Sequence, residues 1–309
     1  MNFQQLRIIQ ETVRRKYNLT DVASALSTAQ SGVSRHVREL EQELGIELFI
    51  RQGRRLLGLT DAGKEAVEIV ERMLVDRRNL AQLGQRFAAG DDGVLHIATT
   101  HTQARYVLPP IIARFKAAFP RVRLVLRQAS PGDIPAILID GEADVGIATD
   151  RMETERDLVT FPSGSWEHAV VVPKGHALEG ESDLTLRTLA AWPLITYADG
   201  VTGRGRIDEA FSKAGIEPDI AILALDADVI KSCVELGLGV GIVSELAFDP
   251  QRDVALARPA ARGLFERNVS SIGLRRGRQP RGFVVRFIEM FAPGINGDVV
   301  RKALDRADV

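Results

Sequence analysis

The spacing of apolar residues divides this chain into a helical part and an alternating part. From residue 2 to about residue 89, apolar side chains recur every three or four positions, which is the period of amphipathic helices. After residue 93, short apolar runs of strand length alternate with helical patterns, as in α/β proteins with a parallel sheet. The pattern therefore predicts a multidomain chain, with a helical N-terminal part and an α/β C-terminal part.

Two helices joined by a tight turn are predicted between Asn18 and Phe49. Ser27 and Gln30 have the spacing of a capping box, which would start the second helix at a defined residue. Away from its apolar stripe, the second helix carries side chains that suit base edges and phosphates in the major groove of DNA. These candidate DNA-binding residues are Thr28, Gln30, Ser31, Ser34, Arg35 and Arg38. The alternative is an ordinary helical hairpin with a solvated polar face.

A basic tip follows the helix pair. Glu47 to Leu59 contains two strand-like runs around Gly53, Arg54 and Arg55, which predicts a wing whose arginines contact the DNA backbone or minor groove. An exposed basic hairpin without contacts is the alternative. With an amphipathic helix over Asn2 to Lys16, residues 1–59 are predicted to form a winged helix-turn-helix domain.

A long helix is predicted next, because Thr60 can cap it and no proline follows before about residue 89. About 28 helical residues would span about 42 Å. Such a helix would bury its apolar stripe by pairing with a second copy, as two DNA half-sites require, or by packing on its own chain. The stripe consists of Ala66, Val70, Met73, Leu80 and Phe87. Residues 60–90 are assigned to this linker and dimerisation helix.

The remainder, residues 91–309, is predicted to form two α/β lobes resembling those of periplasmic binding proteins, with a ligand cleft at the hinge. Lobe I would cover about 91–161 and 267–292, and lobe II about 162–266. The predicted strands are Val94–Thr99, Val122–Arg127, Asp144–Ala148, Ala169–Val172, Leu194–Tyr197, Ile220–Leu225, Val240–Val243 and Val269–Leu274. The predicted helices are Tyr106–Phe119, Ile134–Ile139, Arg204–Ala214, Ala227–Leu236 and Phe283–Phe291. Leu158 to Ser165 and Ala261 to Asn268 are candidates for crossover strands.

Composition narrows the function. The net charge of -1 argues against a uniformly basic nucleic-acid coat, but residues 1–60 hold nine Lys and Arg against six Asp and Glu, so the positive charge is local. The single cysteine, Cys233, excludes an intramolecular disulfide and a thiolate metal cluster. Neither a signal peptide nor a membrane span is predicted. We expect a cytoplasmic protein that needs no cofactor and no metal.

Three features of the chain resemble the LysR-type transcriptional regulators over essentially the full length. They are the winged helix-turn-helix, the run from Leu59 to Glu65 that opens the long helix, and the two-lobed remainder. Within that family the chain is similar to the CysB-type regulators of sulfur assimilation and cysteine biosynthesis. The segments that carry this similarity are Ile97 to Tyr106, Ile147 to Thr149, Thr202 to Arg204, Asp226 to Lys231 and Leu236 to Gly241.

The resemblance implies an effector site between the lobes, lined by Thr100, Thr102, Gln103, Thr149 and Thr202. It would hold sulfate, O-acetylserine or N-acetylserine. Independently of the family, hydroxyl groups between a strand end and a helix start can bind an anion, although each threonine taken singly can be only a helix cap. Trp166 is predicted as an apolar wall of the site, or else as a core residue. His101 is either a ligand contact or a solvated loop residue.

Two other classes of function compete with an effector-controlled regulator. An enzyme on the α/β module is disfavoured, because no nucleophile elbow, P-loop, dinucleotide fingerprint or His/Glu metal spacing occurs, and no catalytic residue is proposed. A solute-binding receptor fits the lobes but does not fit the basic N-terminal unit. The expected partners are double-stranded promoter DNA, a small effector and further copies of the chain in a homodimer or homotetramer, with RNA polymerase as a further candidate. Whether the protein is an activator or a repressor stays open.

Overall fold

A computed structural model describes residues 1–53, 55–87, 92–149, 152–181, 183–201, 203–261 and 263–305. The chain forms two compact units, Met1–Ala89 and Gly90–Val309. The composition of Ala88 to Gly93 predicts a linker; residues 88–91 lie outside the described residues, and Gly93 begins a strand. Across the described ranges, none of the helices has the length and apolar character needed to cross a lipid bilayer.

The first unit is a three-helix domain with a hairpin wing and a long helix. Its elements are α1 (Phe3–Arg14), α2 (Leu19–Ala25), α3 (Gln30–Leu44), β1 (Phe49–Gln52), β2 (Arg55–Leu59) and α4 (Asp61–Phe87). Strands β1 and β2 pair antiparallel, as the wing prediction requires. A shared core forms from the apolar stripes of the helices, with Ile9, Val22, Val33 and Leu40 almost fully buried.

The predicted capping box at Ser27 and Gln30 is wrong. Helix α3 has Ala29 as its N-cap residue, with no side-chain hydrogen bond at the cap. Ser27 instead ends the preceding helix in a left-handed conformation, with φ of 49°. There its N–H donates to Ser24 O at 3.2 Å, while Thr28 N donates to Ala23 O at 2.9 Å. This is the hydrogen-bond pattern of a Schellman motif, so Ser27 is used for helix termination.

Helix α4 begins as predicted, since Thr60 Oγ1 accepts the N–H of Gly63 at 2.9 Å. Its first half packs on its own unit, where Val67, Val70 and Leu74 are buried. Own-chain packing, the alternative interpretation, therefore holds for that half of the stripe. Leu80 is 69% exposed, and the side chain of Phe87 lies outside the described residues.

The second unit contains two mixed five-stranded sheets. Its elements are, in chain order, β3 (Gly93–Thr99), α5 (Leu108–Ala118), β4 (Val122–Gln128), α6 (Ile134–Ile139), β5 (Val145–Thr149), β6 (Leu158–Trp166), β7 (His168–Pro173), α7 (Leu186–Leu189), β8 (Leu194–Tyr197), α8 (Arg204–Lys213), β9 (Ile220–Ala224), α9 (Ala227–Glu235), β10 (Val240–Ser244), β11 (Leu256–Ala257), β12 (Asn268–Arg275), α10 (Gly282–Phe291) and α11 (Gly297–Asp305). Helices α7 and α11 and strand β11 were not predicted.

The strand orders are β4-β3-β5-β12-β6 in lobe I and β11-β7-β10-β8-β9 in lobe II. Strands β3, β4 and β5 are parallel, as predicted. Strand β12 runs antiparallel to both β5 and β6, because the chain leaves lobe I through β6 and returns to it through β12.

Two predicted boundaries in this unit are wrong. The expected crossover strand from Ala261 to Asn268 begins only at its last residue, Asn268. Pro259 cannot donate to a strand ladder, and Gly263 has φ of 74°, which interrupts an extended chain. The helix predicted from Tyr106 begins earlier, with a π-helical turn over Gln103–Val107 that continues into α5. That turn places Gln103 at the end of β3.

Candidate functional site

The predicted DNA-binding residues that the structure describes lie on α3, just before it and on the wing. Arg35 and Arg38 are exposed, while Val33 and Val37 on the opposite face are buried in the core. Arg35 pairs with Glu39 at 3.2 Å on the same helix. Thr28, Gln30 and Ser31 are exposed, Ser34 is half-buried, and Arg55 is exposed at the start of β2. Arg54 lies outside the described residues.

Glu41 fixes the wing on α3, and sequence reasoning missed it. Its buried carboxylate accepts the N–H of Leu48 at 2.9 Å and that of Phe49 at 3.2 Å, and it forms an ion pair with Arg51 at 2.5 Å. A buried carboxylate needs such partners, because an unpaired charge in the core is strongly unfavourable. Glu41 therefore joins the wing to α3 through polar contacts, beside the apolar packing of Phe49 and Leu56 in the shared core.

In the second unit, two predicted effector residues meet at a third residue that was not predicted. Gln103 Nε2 donates to Ser270 Oγ at 2.8 Å. The hydroxyl of Ser270 also lies 3.5 Å from Thr149 Oγ1. Strand pairing explains the meeting, since Ser270 on β12 stands opposite Thr149 on β5. All three side chains are buried.

Several buried polar atoms near these residues have no hydrogen-bond partner among the described residues. Native proteins leave few such atoms, because each costs about 1–3 kcal/mol when it is unsatisfied. Here they cluster at the end of β3 and on the strands that join the lobes. They are Thr99 Oγ1, Thr100 Oγ1, His101 Nδ1, Gln103 Oε1, Trp166 Nε1, His168 Nε2 and Asn268 Oδ1.

The strands that join the lobes bring three of these groups together. Trp166 on β6 stands opposite Asn268 on β12, so both side chains share a face with Ser270, two residues further along β12. His168 Nδ1 lies 3.5 Å from Asn268 Nδ2, and the rings of Trp166 and His168 lie 5.1 Å apart. Burial lowers the pKa of His168 to about 3, so its imidazole is neutral.

Lobe II approaches this cluster through the segment before α8. Gly203 has φ of 81°, and a Cβ atom there would lie 2.7 Å from His168 Nε2 and 2.8 Å from Trp166 Cη2. Only glycine fits so close to the two rings. The predicted ligand residue Thr202 precedes Gly203 but lies outside the described residues.

Thr102 is buried and faces a different group. Burial raises the pKa of the Tyr197 phenol in lobe II, while hydrogen bonds with Ser244 and Thr102 act in the opposite direction. The phenol oxygen of Tyr197 accepts the N–H of Ser244 at 2.9 Å. Thr102 thus contacts lobe II, in contrast to Gln103, which contacts the strands of lobe I.

A group that resembles a metal site lies beside the same turn. One ligand atom each from His101, Asp226 and Asp228 falls within 4.8 Å of the others. These carboxylates already have partners: Asp226 caps α9 through Val229 N at 3.0 Å, and Asp228 accepts the phenol of Tyr106 at 2.7 Å. Arg105, at 3.3 Å, and Lys231, at 3.6 Å, also balance the charge of Asp228. Helix capping accounts for Asp226 and ion pairing for Asp228, whereas His101 Nδ1 is buried without a hydrogen-bond partner among the described residues.

The predicted effector residues are therefore only partly brought together. Gln103 and Thr149 converge on Ser270, and Trp166 lies on the same face of the joining strands. Sequence reasoning missed His168, Asn268 and Ser270. The available signal was the group of polar side chains at Asn268, Ser270 and Ser271, in a strand whose remaining buried residues are Ile272, Gly273 and Leu274.

Two family models match the chain. Residues 3–64 match the bacterial regulatory helix-turn-helix protein model of the lysR family, and residues 88–294 match the LysR substrate binding domain model.

Curated relatives match over nearly the whole length. The chain is 52% identical to the HTH-type transcriptional regulator SsuR of Burkholderia cenocepacia over 296 residues, which is 96% of each chain. It is 45% identical to the HTH-type transcriptional regulator CysB of the same organism over 98% of this chain and 97% of that protein. Among solved structures, the cofactor-binding domain of the Cbl transcriptional regulator is 47% identical, with a TM-score of 0.66 over 70% of this chain and 95% of that chain.

Proposed function

This chain belongs to the LysR family of bacterial transcriptional regulators, and from that premise we propose that it controls sulfur-metabolism genes in response to a small anionic effector bound between its two lobes. Its relatives named SsuR, CysB and Cbl support the assignment to sulfur metabolism. Sulfate, O-acetylserine and N-acetylserine are the candidate effectors. Acting on promoter DNA, the protein would work in the cytoplasm.

The observation that carries the effector proposal is the cluster of unpartnered buried polar atoms. Thr100 Oγ1 and Trp166 Nε1 can each donate a hydrogen bond to an anionic oxygen. Neutral donors of this kind bind an anion without the cost of burying a second charge. Because the groups come from β3, β6 and β12, a ligand that satisfied them would hold the joining strands in one arrangement.

The experiment measures thermal unfolding of the full-length protein with sulfate, O-acetylserine or N-acetylserine at matched ionic strength. A ligand at 100 times its Kd should stabilise the native state by about 2.7 kcal/mol. Gln103→Ala should remove that gain, whereas the control Gln128→Ala, at an exposed residue at the end of β4, should keep it. No stabilisation by any sulfur compound would reject this effector class. Equal gains in the two variants would reject the site.

Effector binding would change how the protein lies on DNA. A ligand shifts a conformational equilibrium only if it binds one arrangement more tightly than the other. We expect the footprint on a promoter duplex to change in length or bending when the effector saturates the site. RNA polymerase, a candidate partner, would then contact a protein–DNA complex in which the subunits are arranged differently.

Helix α4 supports a homo-oligomer, either a dimer or a tetramer. Ile69 is 49% exposed and Leu80 is 69% exposed, and they stand 11 residues apart, about three helical turns, on one face. A second copy would bury this face. Light scattering of Leu80→Glu should give a smaller mass than the wild type, and Glu71→Lys, at an exposed position about 200° around the same helix from Ile69, should not. An unchanged mass for both variants would place the contact elsewhere.

A further inference from the structure

A surface pocket of about 520 Å³ lies in the first unit, between the α1–α2 turn, the start of α3 and the wing. Leu19 and Leu56 line it and are buried, so they form its apolar floor. Lys16, Gln30 and Arg55 line it and are exposed, so they form its rim. Because Gln30 is the first residue of α3, the pocket borders the end of the recognition helix that would enter the major groove.

Lys16 adopts a backbone conformation that favours glycine. It ends α1 with φ of 50°, where its N–H donates to Val13 O at 3.0 Å and Tyr17 N donates to Thr12 O at 2.8 Å. In this Schellman motif the left-handed position is most often glycine, because a Cβ atom is disfavoured there. Helix termination does not require a lysine, because Ser27 ends α2 in the same conformation, and what Lys16 adds is an ammonium group at the rim of the pocket.

The two cations of the rim come from different elements. Lys16 belongs to the turn after α1 and Arg55 to the wing strand β2, and neither forms an ion pair with a described residue. The acidic group adjoining the turn is Asp21, whose carboxylate accepts the side-chain amide of Asn18 at 2.7 Å and does not line the pocket. The pocket thus offers two positive charges above an apolar floor.

We propose that this pocket binds one phosphodiester group of the DNA backbone beside the major groove, with Lys16 and Arg55 at the phosphate and the apolar floor under the adjoining sugar. The inference rests on the proposed DNA-binding function and assigns one contact within it. A phosphate held here would fix the depth and angle of α3 in the groove, because Gln30 stands at the same rim. It would carry no sequence information of its own.

The experiment uses the full-length protein and two 30-base-pair duplexes, one selected by the protein from a random library and one of shuffled sequence. Dissociation constants are measured by fluorescence anisotropy from 50 to 300 mM NaCl. Lys16→Gln should weaken binding to both duplexes by the same factor. It should also reduce the slope of log K against log salt by about 0.9 for each phosphate that the variant no longer neutralises. Arg55→Gln should behave alike.

Arg7→Gln is the matched control, since Arg7 is an exposed cation of α1 outside the pocket. A loss of affinity as large as that of Lys16→Gln would mean a general charge effect and would overturn the proposal. Unchanged binding of both duplexes by Lys16→Gln would also overturn it. A wild type that binds neither duplex would refute the proposed function itself.

Lys16→Gly separates binding from folding. Glycine relieves the left-handed backbone, so the unfolding midpoint should equal or exceed that of the wild type while DNA affinity falls as in Lys16→Gln. A lowered midpoint would show a structural role for the lysine and contradict the proposal. Inorganic phosphate is tested against NaCl at equal ionic strength. Stabilisation by phosphate that disappears in Lys16→Gln without any change in DNA affinity would assign the pocket to a free anion.

Discussion

Replacing Glu41 tests whether one buried carboxylate holds the wing on the recognition helix. In Glu41→Ala, the N–H groups of Leu48 and Phe49 lose their acceptor and Arg51 loses its partner. Each orphaned N–H costs about 1–3 kcal/mol. The side chain of Arg51 is 24% exposed, so water compensates for part of its loss. We expect a total of about 3–5 kcal/mol, the range for breaking a buried ion pair.

Calorimetry of the full-length protein measures the effect. About 4 kcal/mol should lower the midpoint of a unit of this size by roughly 15–30 °C. Glu41→Gln keeps an acceptor oxygen but loses the charge, and it should fall between the wild type and the alanine variant. Glu43→Gln is the control, because Glu43 is an exposed carboxylate on the same helix that pairs with the N-terminal ammonium.

The same variants connect stability to function. Below the unfolding temperature, Glu41→Ala should also weaken DNA binding, since the wing is no longer fixed relative to α3. If Glu41→Ala changed the free energy of unfolding by less than about 1 kcal/mol, the reasoning on buried acceptors at this site would be refuted.

Two further predictions concern the strands that join the lobes. Burial lowers the pKa of His168 to about 3 in the folded protein, against about 6.5 in the unfolded chain. The contribution of neutral His168 to stability is therefore complete above pH 6.5 and declines as the pH falls towards 3. The free energy of unfolding should fall by up to about 1.4 kcal/mol per pH unit in this range. Unfolding midpoints at pH 7 and pH 4.5 should therefore converge in His168→Gln compared with the wild type, and an equal fall in both proteins would contradict the lowered pKa. Gly203→Ala should destabilise the second unit by about 1–3 kcal/mol and abolish stabilisation by the effector, because the added methyl group would clash with His168 and Trp166 at a left-handed backbone position. Gly205→Ala is the control, since the space around its Cβ position is open, and calorimetry should find it nearly neutral. Similar losses in both variants would contradict the steric explanation.

Local patterns in the sequence predicted most of the elements, because burial on one side of a helix or strand repeats with a fixed period. The stripe with Val33, Val37 and Leu40 predicted α3, and the basic tip predicted the wing. Ser27 shows where local reasoning failed. Its spacing to Gln30 suits a cap, but the same serine also suits the left-handed end of α2, and the path of the chain selected the second role.

Family resemblance supplied Gln103 and Thr149 as site residues, but not the hydroxyl on which they converge. Ser270 lies 167 residues after Gln103, and only the antiparallel return of β12 beside β5 brings it there. No periodicity within a short window contains a contact of that separation.

Neighbours within a few residues were enough to predict the helical and strand segments, the local positive charge of the first unit and the family of the chain. Packing of the folded chain was needed to show which polar atoms are buried without partners, that Glu41 holds the wing and that Lys16 and Arg55 share one pocket. These facts depend on strand pairing and helix packing, which join residues far apart in the chain and change the solvation of each polar group.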